Sequence, residues 1–404
     1  MYDEATIGTR LRALRKWRRM TLVELAGQAG MSKSHLSSIE RGLAALDRRS
    51  YIAGLAQALK VSETDIVGGP HLTRDPLQST PHAYISPLRD ALESNGVYRS
   101  PVVDRARPLP DLTQLMAGAI ERSRRRYDYI EVGQLLPGLI DDLHFHVATG
   151  DEQAQRLALE TLVEAYMCAA GMARTLAHPD LGHIAAMRAD EVAIRLGDPV
   201  TRGKVAFSLI RPSASNWSRV KTLAERAVDE LEPHARDSEA LQVLGMLTLN
   251  AAPACAATYN GRAAEDWLCA AEELAARLPD DMAANWQAFC ATNVAAWRVA
   301  VAVEYGESGQ AVARKAAAVE DAKLVVHPAR RAGFYAEVGR GLARDHKMRD
   351  EAIVWLRQAE TIAPQRFRND AKVRETVAVM AEQARVNAVG REIRGLAARL
   401  GIPH

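Results

Sequence analysis

Residues 21–42 read Thr21-Leu22-Val23-Glu24-Leu25-Ala26-Gly27-Gln28-Ala29-Gly30-Met31-Ser32-Lys33-Ser34-His35-Leu36-Ser37-Ser38-Ile39-Glu40-Arg41-Gly42, and this stretch decides the fold of the first domain. Thr21 followed three residues later by Glu24 is a capping box, in which hydroxyl and carboxylate each satisfy the other's backbone N–H and start a helix. Leu22, Leu25 and Ala26 form its buried stripe. Gly30 permits a tight turn, and Met31 packs beneath it. Ser32 caps a following helix that runs to Arg41 and is closed by Gly42. Leu36 and Ile39 face inward there, which leaves Lys33, Ser34, His35, Ser37 and Ser38 outside. Such a small, polar, donor-rich face suits a helix that must enter a major groove about 12 Å wide.

The pattern extends on both sides. Ile7, Leu11 and Leu14 space out a first amphipathic helix ending near Arg19. Two more helices are expected, about 48–59 and 62–67, the last capped by Ser62-Glu63-Thr64-Asp65. Arg15, Lys16, Arg18 and Arg19 read as a solvated charged face, and Trp17 within it has no evident role.

These residues resemble the phage-repressor, or Xre, type of helix-turn-helix over residues 6–67. The resemblance rests on Leu25-Ala26, Gly30, Ser32, the Leu36-x-x-Ile39-Glu40-x-Gly42 ending and the Leu55-Ala56-x-Ala58-Leu59-x-Val61 helix. It implies that Lys33, Ser34 and Ser38 read bases, with His35 and Ser37 on the same helix, and that Arg41, Arg48 and Arg49 meet phosphates. Arg41 has a plainer alternative, pairing with its own helix C-terminus. One departure stands out: where the family often has Gln just after the second helix's cap, this chain has Leu22.

The expected division is 1–67 for this domain, 68–110 for a proline-rich linker with one short helix near 87–95, and 111–404 for a helical repeat domain. Pro70, Pro76, Pro81, Pro87, Pro101, Pro108 and Pro110 crowd the middle stretch, and each removes a backbone donor and restricts its predecessor. Beyond 111, joints such as Thr149-Gly150-Asp151 and Leu196-Gly197-Asp198-Pro199 end one helix and cap the next, folding neighbours antiparallel. No segment alternates as a strand, so the fold class is all-α: a five-helix N-terminal domain followed by an α-solenoid. The segment 350–364, with Ala352 and Ala359 seven apart around Leu356 and Pro364 at its end, resembles the second helix of a tetratricopeptide repeat (TPR). Gly339 and Gly341 lie upstream, one residue from the usual small-residue place. Ala264/Leu268/Ala271 and Ala311/Lys315/Ala318 are weaker echoes. An unrelated α-solenoid is the alternative.

Composition narrows the function. Residues 1–67 hold 11 basic and 7 acidic side chains, so the piece expected to meet DNA is the basic one in a chain of net charge +2. The 43 Arg against 9 Lys match the Ala-rich bias of a GC-rich genome. With no run near 18 consecutive apolar residues and an acidic start at Met1-Tyr2-Asp3-Glu4, the expectation is a cytoplasmic protein without a membrane partner. Cys168, Cys255, Cys269 and Cys290 form no paired motif and read as reduced core thiols. His144-Phe145-His146 puts two imidazoles two apart, pointing different ways on a helix, so no metal site is expected. No cofactor loop or catalytic arrangement is readable, and no enzyme activity is expected.

Joining such a helix-turn-helix to TPR-like helices is similar in layout to Gram-positive peptide-sensing regulators. That layout implies a homodimer on double-stranded operator DNA, with a peptide or small-molecule effector controlling affinity. Arg211, Trp217, Asn250, Tyr259, Asn293 and Trp297 are the candidates for an effector pocket, since Asn both donates and accepts and suits a peptide backbone. The rival reading is a protein-interaction scaffold with an auxiliary DNA-binding domain.

Overall fold

The computed structural model describes residues 6–68, 80–210, 216–386 and 390–402, and among these every regular element is helical. The N-terminal domain has five helices: α1 Ile7–Trp17, α2 Leu22–Gln28, α3 Lys33–Glu40, α4 Arg49–Leu59 and α5 Glu63–Val67. Leu11, Leu25, Leu36, Ile39, Leu55, Leu59 and Ile66 are wholly buried in one core. At about 1.5–3 kcal/mol for each large apolar side chain removed from water, that core is the domain's main stabilising term. Both expected capping boxes form, Thr21 with Glu24 and Ser62 with Asp65. Gly30 turns the chain between α2 and α3 at φ +68°. Gly8 sets how closely α1 approaches α3, because a Cβ there would lie 1.9 Å from the Ile39 carbonyl oxygen.

Part of the stretch expected as a linker belongs to the helical domain. A 3-10 turn, Thr80–Tyr84, leads into helix Ile85–Ser94. Ile85, Leu88, Ala91 and Leu92 of that helix are buried in the same core as helix Tyr129–Thr149. The prolines did not forbid this: Pro87 falls in the first turn, where an N–H has no intrahelical partner, and Pro110 likewise opens helix Leu109–Leu115. Residues 69–79 of the expected linker lie outside the described residues.

From there the chain is an α-solenoid of antiparallel helices. Tyr129–Thr149, Glu152–Thr175 and Pro179–Leu196 pack in succession, then Trp217–Leu231, Ser238–Ala257 and Gly261–Ala275, then Ala291–Tyr305, Pro328–Ala343, Arg349–Ile362 and Ala371–Val386. Asp151 and Asp198 cap their helices as their sequence joints require. In the pair Pro328–Ala343 and Arg349–Ile362, Ala352, Leu356 and Ala359 are fully buried. A Cβ at Gly339 would lie 2.7 Å from Leu356 Cγ, so the glycine is what lets these two helices meet. The echo at 311–318 is off by one: Val312, Ala316 and Val319 are buried, not Ala311 and Ala318.

The solenoid curls until its early and late parts touch. Gln365 Oε1 accepts from the Tyr129 backbone N–H at 3.0 Å, and Arg366 donates to the Tyr127 hydroxyl at 2.9 Å. Helix Ser238–Ala257 runs through the middle; by length and composition it could cross a membrane, and 94% of its apolar window is buried within the protein. Cys168, Cys255 and Cys290 are buried free thiols, whereas Cys269 is exposed and is not a core residue.

Candidate nucleic-acid interface

Helix α3 begins where Ser32 accepts the His35 backbone N–H at 3.2 Å. Its outer face divides. Lys33, Ser34 and the following Arg41 are exposed, whereas His35, Ser37 and Ser38 are half-buried. Arg41 Nε donates to the Ser37 carbonyl at 3.2 Å, so the helix-end pairing read as its alternative is present. His35 turns toward Tyr51 of α4, ring centroids 5.3 Å apart. Burial and the neighbouring Arg48 push its pKa down, so the imidazole is neutral near pH 7. Leu22 packs against the domain core instead of presenting a polar group.

Arg15 is not part of a solvated face. Its Nε and Nη2 grip the two Glu40 oxygens at 2.6 and 2.8 Å, and Nη1 donates to the Met20 carbonyl. This two-point bond ties α1 to the end of α3. Arg18 reaches the Leu59 and Lys60 carbonyls that end α4 and stacks over the exposed Trp17 at 4.3 Å.

The loop after α3, residues 42–48, is seated on the last helices of the solenoid. Asp47 is buried with Arg340 and Arg344, and Arg344 Nη2 donates to both its oxygens at 2.9 Å. Burial would raise the Asp47 pKa, but these two guanidiniums hold it below the usual range. Glu375, equally buried, accepts the backbone N–H groups of Ile7 and Leu46. Gln383 donates to the Gly42 and Leu43 carbonyls.

Arg48 and Arg49, expected at phosphates, are held in this same interface. Arg48 Nε and Nη2 donate to the Glu304 and Tyr305 carbonyls at 3.0 and 2.7 Å. A cation there satisfies the open carbonyls and complements the negative end of helix Ala291–Tyr305. Gly306, at φ +114°, closes that helix and leaves room, since a Cβ would meet Arg48 Nη1 at 2.9 Å. Arg49 offers its backbone N–H to Glu304 Oε1 at 2.6 Å and its guanidinium to the Trp217 ring.

Of the effector candidates, Trp217, Asn250, Asn293 and Trp297 line one cavity of about 440 Å3 inside the curl of the solenoid. Arg49 reaches into it from α4. The Trp217 indole Nε1 and the Asn293 Oδ1 are buried without hydrogen-bond partners, leaving one donor and one acceptor unused. Tyr259 lies elsewhere, beneath Arg48 at 5.4 Å, and belongs to the domain interface. Arg211 lies outside the described residues.

Sequence reasoning missed Asp47, Glu304, Arg340, Arg344 and Glu375. One signal was available: Gly339-Arg340-Gly341 places a cation between two glycines in an apolar helix, as a close-packed buried arginine requires.

No curated protein and no solved structure matches this chain. Residues 6–66 match the family model of a helix-turn-helix domain, so the N-terminal part of this chain is a helix-turn-helix domain of the kind found in DNA-binding regulators.

Proposed function

We propose that this protein is a transcription regulator of the Xre type whose TPR-like solenoid controls the helix-turn-helix in response to an effector. The observation that carries this is the seating of the Gly42–Arg49 stretch on the solenoid. The segment that follows the recognition helix is gripped by Glu304, Arg340, Arg344 and Glu375, the two arginines holding its Asp47, so movement of the last helices is passed directly to α3 and α4. Lys33 and Ser34 read bases, joined by Ser37, Ser38 and Arg41 at the groove. Arg48 and Arg49 reach phosphates only after leaving Glu304.

The cavity of Trp217, Asn250, Asn293 and Trp297 supports the effector half of the reading. A peptide or small molecule offering a donor and an acceptor satisfies Asn293 and Trp217, and Trp217 is the ring on which Arg49 rests. Occupation of the cavity therefore acts on α4 through Arg49. The protein acts in the cytoplasm, as a homodimer on half-sites about one helical turn apart, and carries out no catalytic step.

The test is a genomic-fragment pull-down with the purified protein and a Lys33→Ala/Ser34→Ala variant shown by circular dichroism to be folded. The wild type is expected to enrich a few discrete fragments, with affinity falling steeply with salt, and the variant to lose them. Recovery of the same fragments by both proteins overturns the assignment of α3.

A further inference from the structure

We propose that the cavity between the helix-turn-helix and the solenoid is a binding site for an organic anion with an apolar or aromatic body. This site is separate from the one lined by Asn250 and Asn293, and it does not depend on the DNA-binding reading.

The cavity measures about 730 Å3, within the range that holds a small ligand. Its walls come from both units: Met31, His35 and Tyr51 on one side, Arg344, Arg349 and Met380 on the other. Its charge is unbalanced. Four arginines, 48, 340, 344 and 349, line it against one carboxylate, Asp47, whose two oxygens are already taken by Arg344 and Arg340, and of the four only Arg340 also pairs with Glu337 behind the wall.

Two of these cations have unused capacity. Arg340 is 1% exposed, yet its Nε has no hydrogen-bond partner. Arg349 has no ion pair among the described residues, and its Nε bond to the Ala343 carbonyl is a long 3.5 Å. Partial burial also pushes the Arg349 guanidinium's pKa down, and the nearby Asp345 carboxylate offsets this only in part. A half-buried guanidinium with one long hydrogen bond has donors to spare, and a carboxylate or phosphate reaching Arg349 makes charge-assisted bonds with them. Leu43, Val379 and Met380 give the lining an apolar stretch that matches the body of such a ligand, beside the hydroxyls of Ser32 and Thr376. His35 and Tyr51 add ring faces beside it.

Because the walls belong to two units, the ligand binds the seated arrangement and not the separated one. It therefore stabilises the seating by mass action.

The experiment uses the full chain without DNA. The probes are 8-anilinonaphthalene-1-sulfonate and its uncharged relative N-phenyl-1-naphthylamine, followed by fluorescence. One equivalent of the sulfonate is expected to bind. Arg349→Gln weakens it at least tenfold, and Ala45→Trp, which fills the cavity from the helix-turn-helix side, abolishes it. The uncharged probe binds more weakly and is indifferent to Arg349→Gln. Displacement by 1-naphthoate or by 1-naphthyl phosphate then tells which head group the site prefers. Equal binding of the sulfonate by wild type and Arg349→Gln, or no binding at all, overturns the proposal, and so does tighter binding of the uncharged probe. Should Ala45→Trp fail to fold, Arg349→Gln alone decides.

Discussion

Two arginines of nearly equal appearance in the sequence have opposite fates. Arg15 and Arg48 both sit in basic runs of the N-terminal domain, yet Arg15 locks α1 to Glu40 inside the domain and Arg48 closes a solenoid helix some 250 residues away. Arg15 and Glu40 side chains are 12% and 4% exposed, so this is close to a buried pair. Removing one partner of such a pair costs about 3 kcal/mol, because the other charge stays buried. Arg15→Ala should therefore lower hydrogen-exchange protection of the Leu36 and Ile39 amides by roughly two orders of magnitude. Arg15→Met with Glu40→Leu should recover most of it, since an apolar pair of similar volume does not strand a charge. Protection unchanged in Arg15→Ala would show that the bond adds nothing. Lys33 is the contrasting residue: Lys33→Ala should leave protection untouched and weaken DNA binding about tenfold or more, the usual cost of one specific contact.

At the scale of elements, what was legible is what depends on near neighbours. The five N-terminal helices follow from caps and from a 3.6-residue apolar period, and both capping boxes, the Gly30 turn and the Asp151 and Asp198 caps are local chemistry. The hairpin around Leu356 was legible because small residues opposite a large one are a local demand of close helix packing. Helix Ile85–Ser94 was harder: its apolar face is short and its prolines suggest a linker, and only the distant helix Tyr129–Thr149 gives that face something to cover. The seating of residues 42–48 was illegible, since nothing near Asp47 in sequence announces Arg340 or Arg344. Four of the six effector candidates share one cavity because polar residues within apolar helices mark an inner surface, whereas Tyr259 does not, since an aromatic ring serves a domain interface equally well. The close approach of α1 and α3 gives a direct test. Gly8→Ala puts a methyl against the Ile39 carbonyl oxygen and should destabilise the helix-turn-helix by about 1–3 kcal/mol. The measurement is the denaturant midpoint of that domain followed by exchange at its core amides, and no change in the midpoint would mean α1 can shift freely.

For the whole molecule, the seating of one unit on the other depends on two buried carboxylates with opposite pH behaviour. Asp47 is held ionised by Arg344 and Arg340 against its burial, so its contribution is present above the ordinary carboxylate pKa and is lost only in acid. Glu375 is the reverse. Burial raises it to about 7, helped by Asp47 and opposed by the Ile7 and Leu46 N–H groups and by Arg10. Released into water it would ionise near about 4.3. The seated form thus keeps a proton that the separated form gives up between those two values. Seating is at full strength below that window and weakens as pH rises through about 7, by on the order of 4 kcal/mol in all. Across pH 5 to 8, exchange of the Ile7 and Leu46 amides, corrected for its intrinsic pH dependence, should therefore accelerate in the wild type. Glu375→Gln cannot ionise and should show a flat profile over the same range. Asp47→Asn should instead loosen the seating throughout pH 5 to 8, because it removes the carboxylate that Arg340 and Arg344 share across the interface. If the proposed regulation is correct, operator affinity follows the same curve, rising from pH 5 to 8 as Arg48 and Arg49 leave Glu304, and Glu375→Gln removes that rise. A wild-type exchange profile as flat as that of Glu375→Gln would mean the buried carboxyl does not govern the seating, whatever the DNA affinity does.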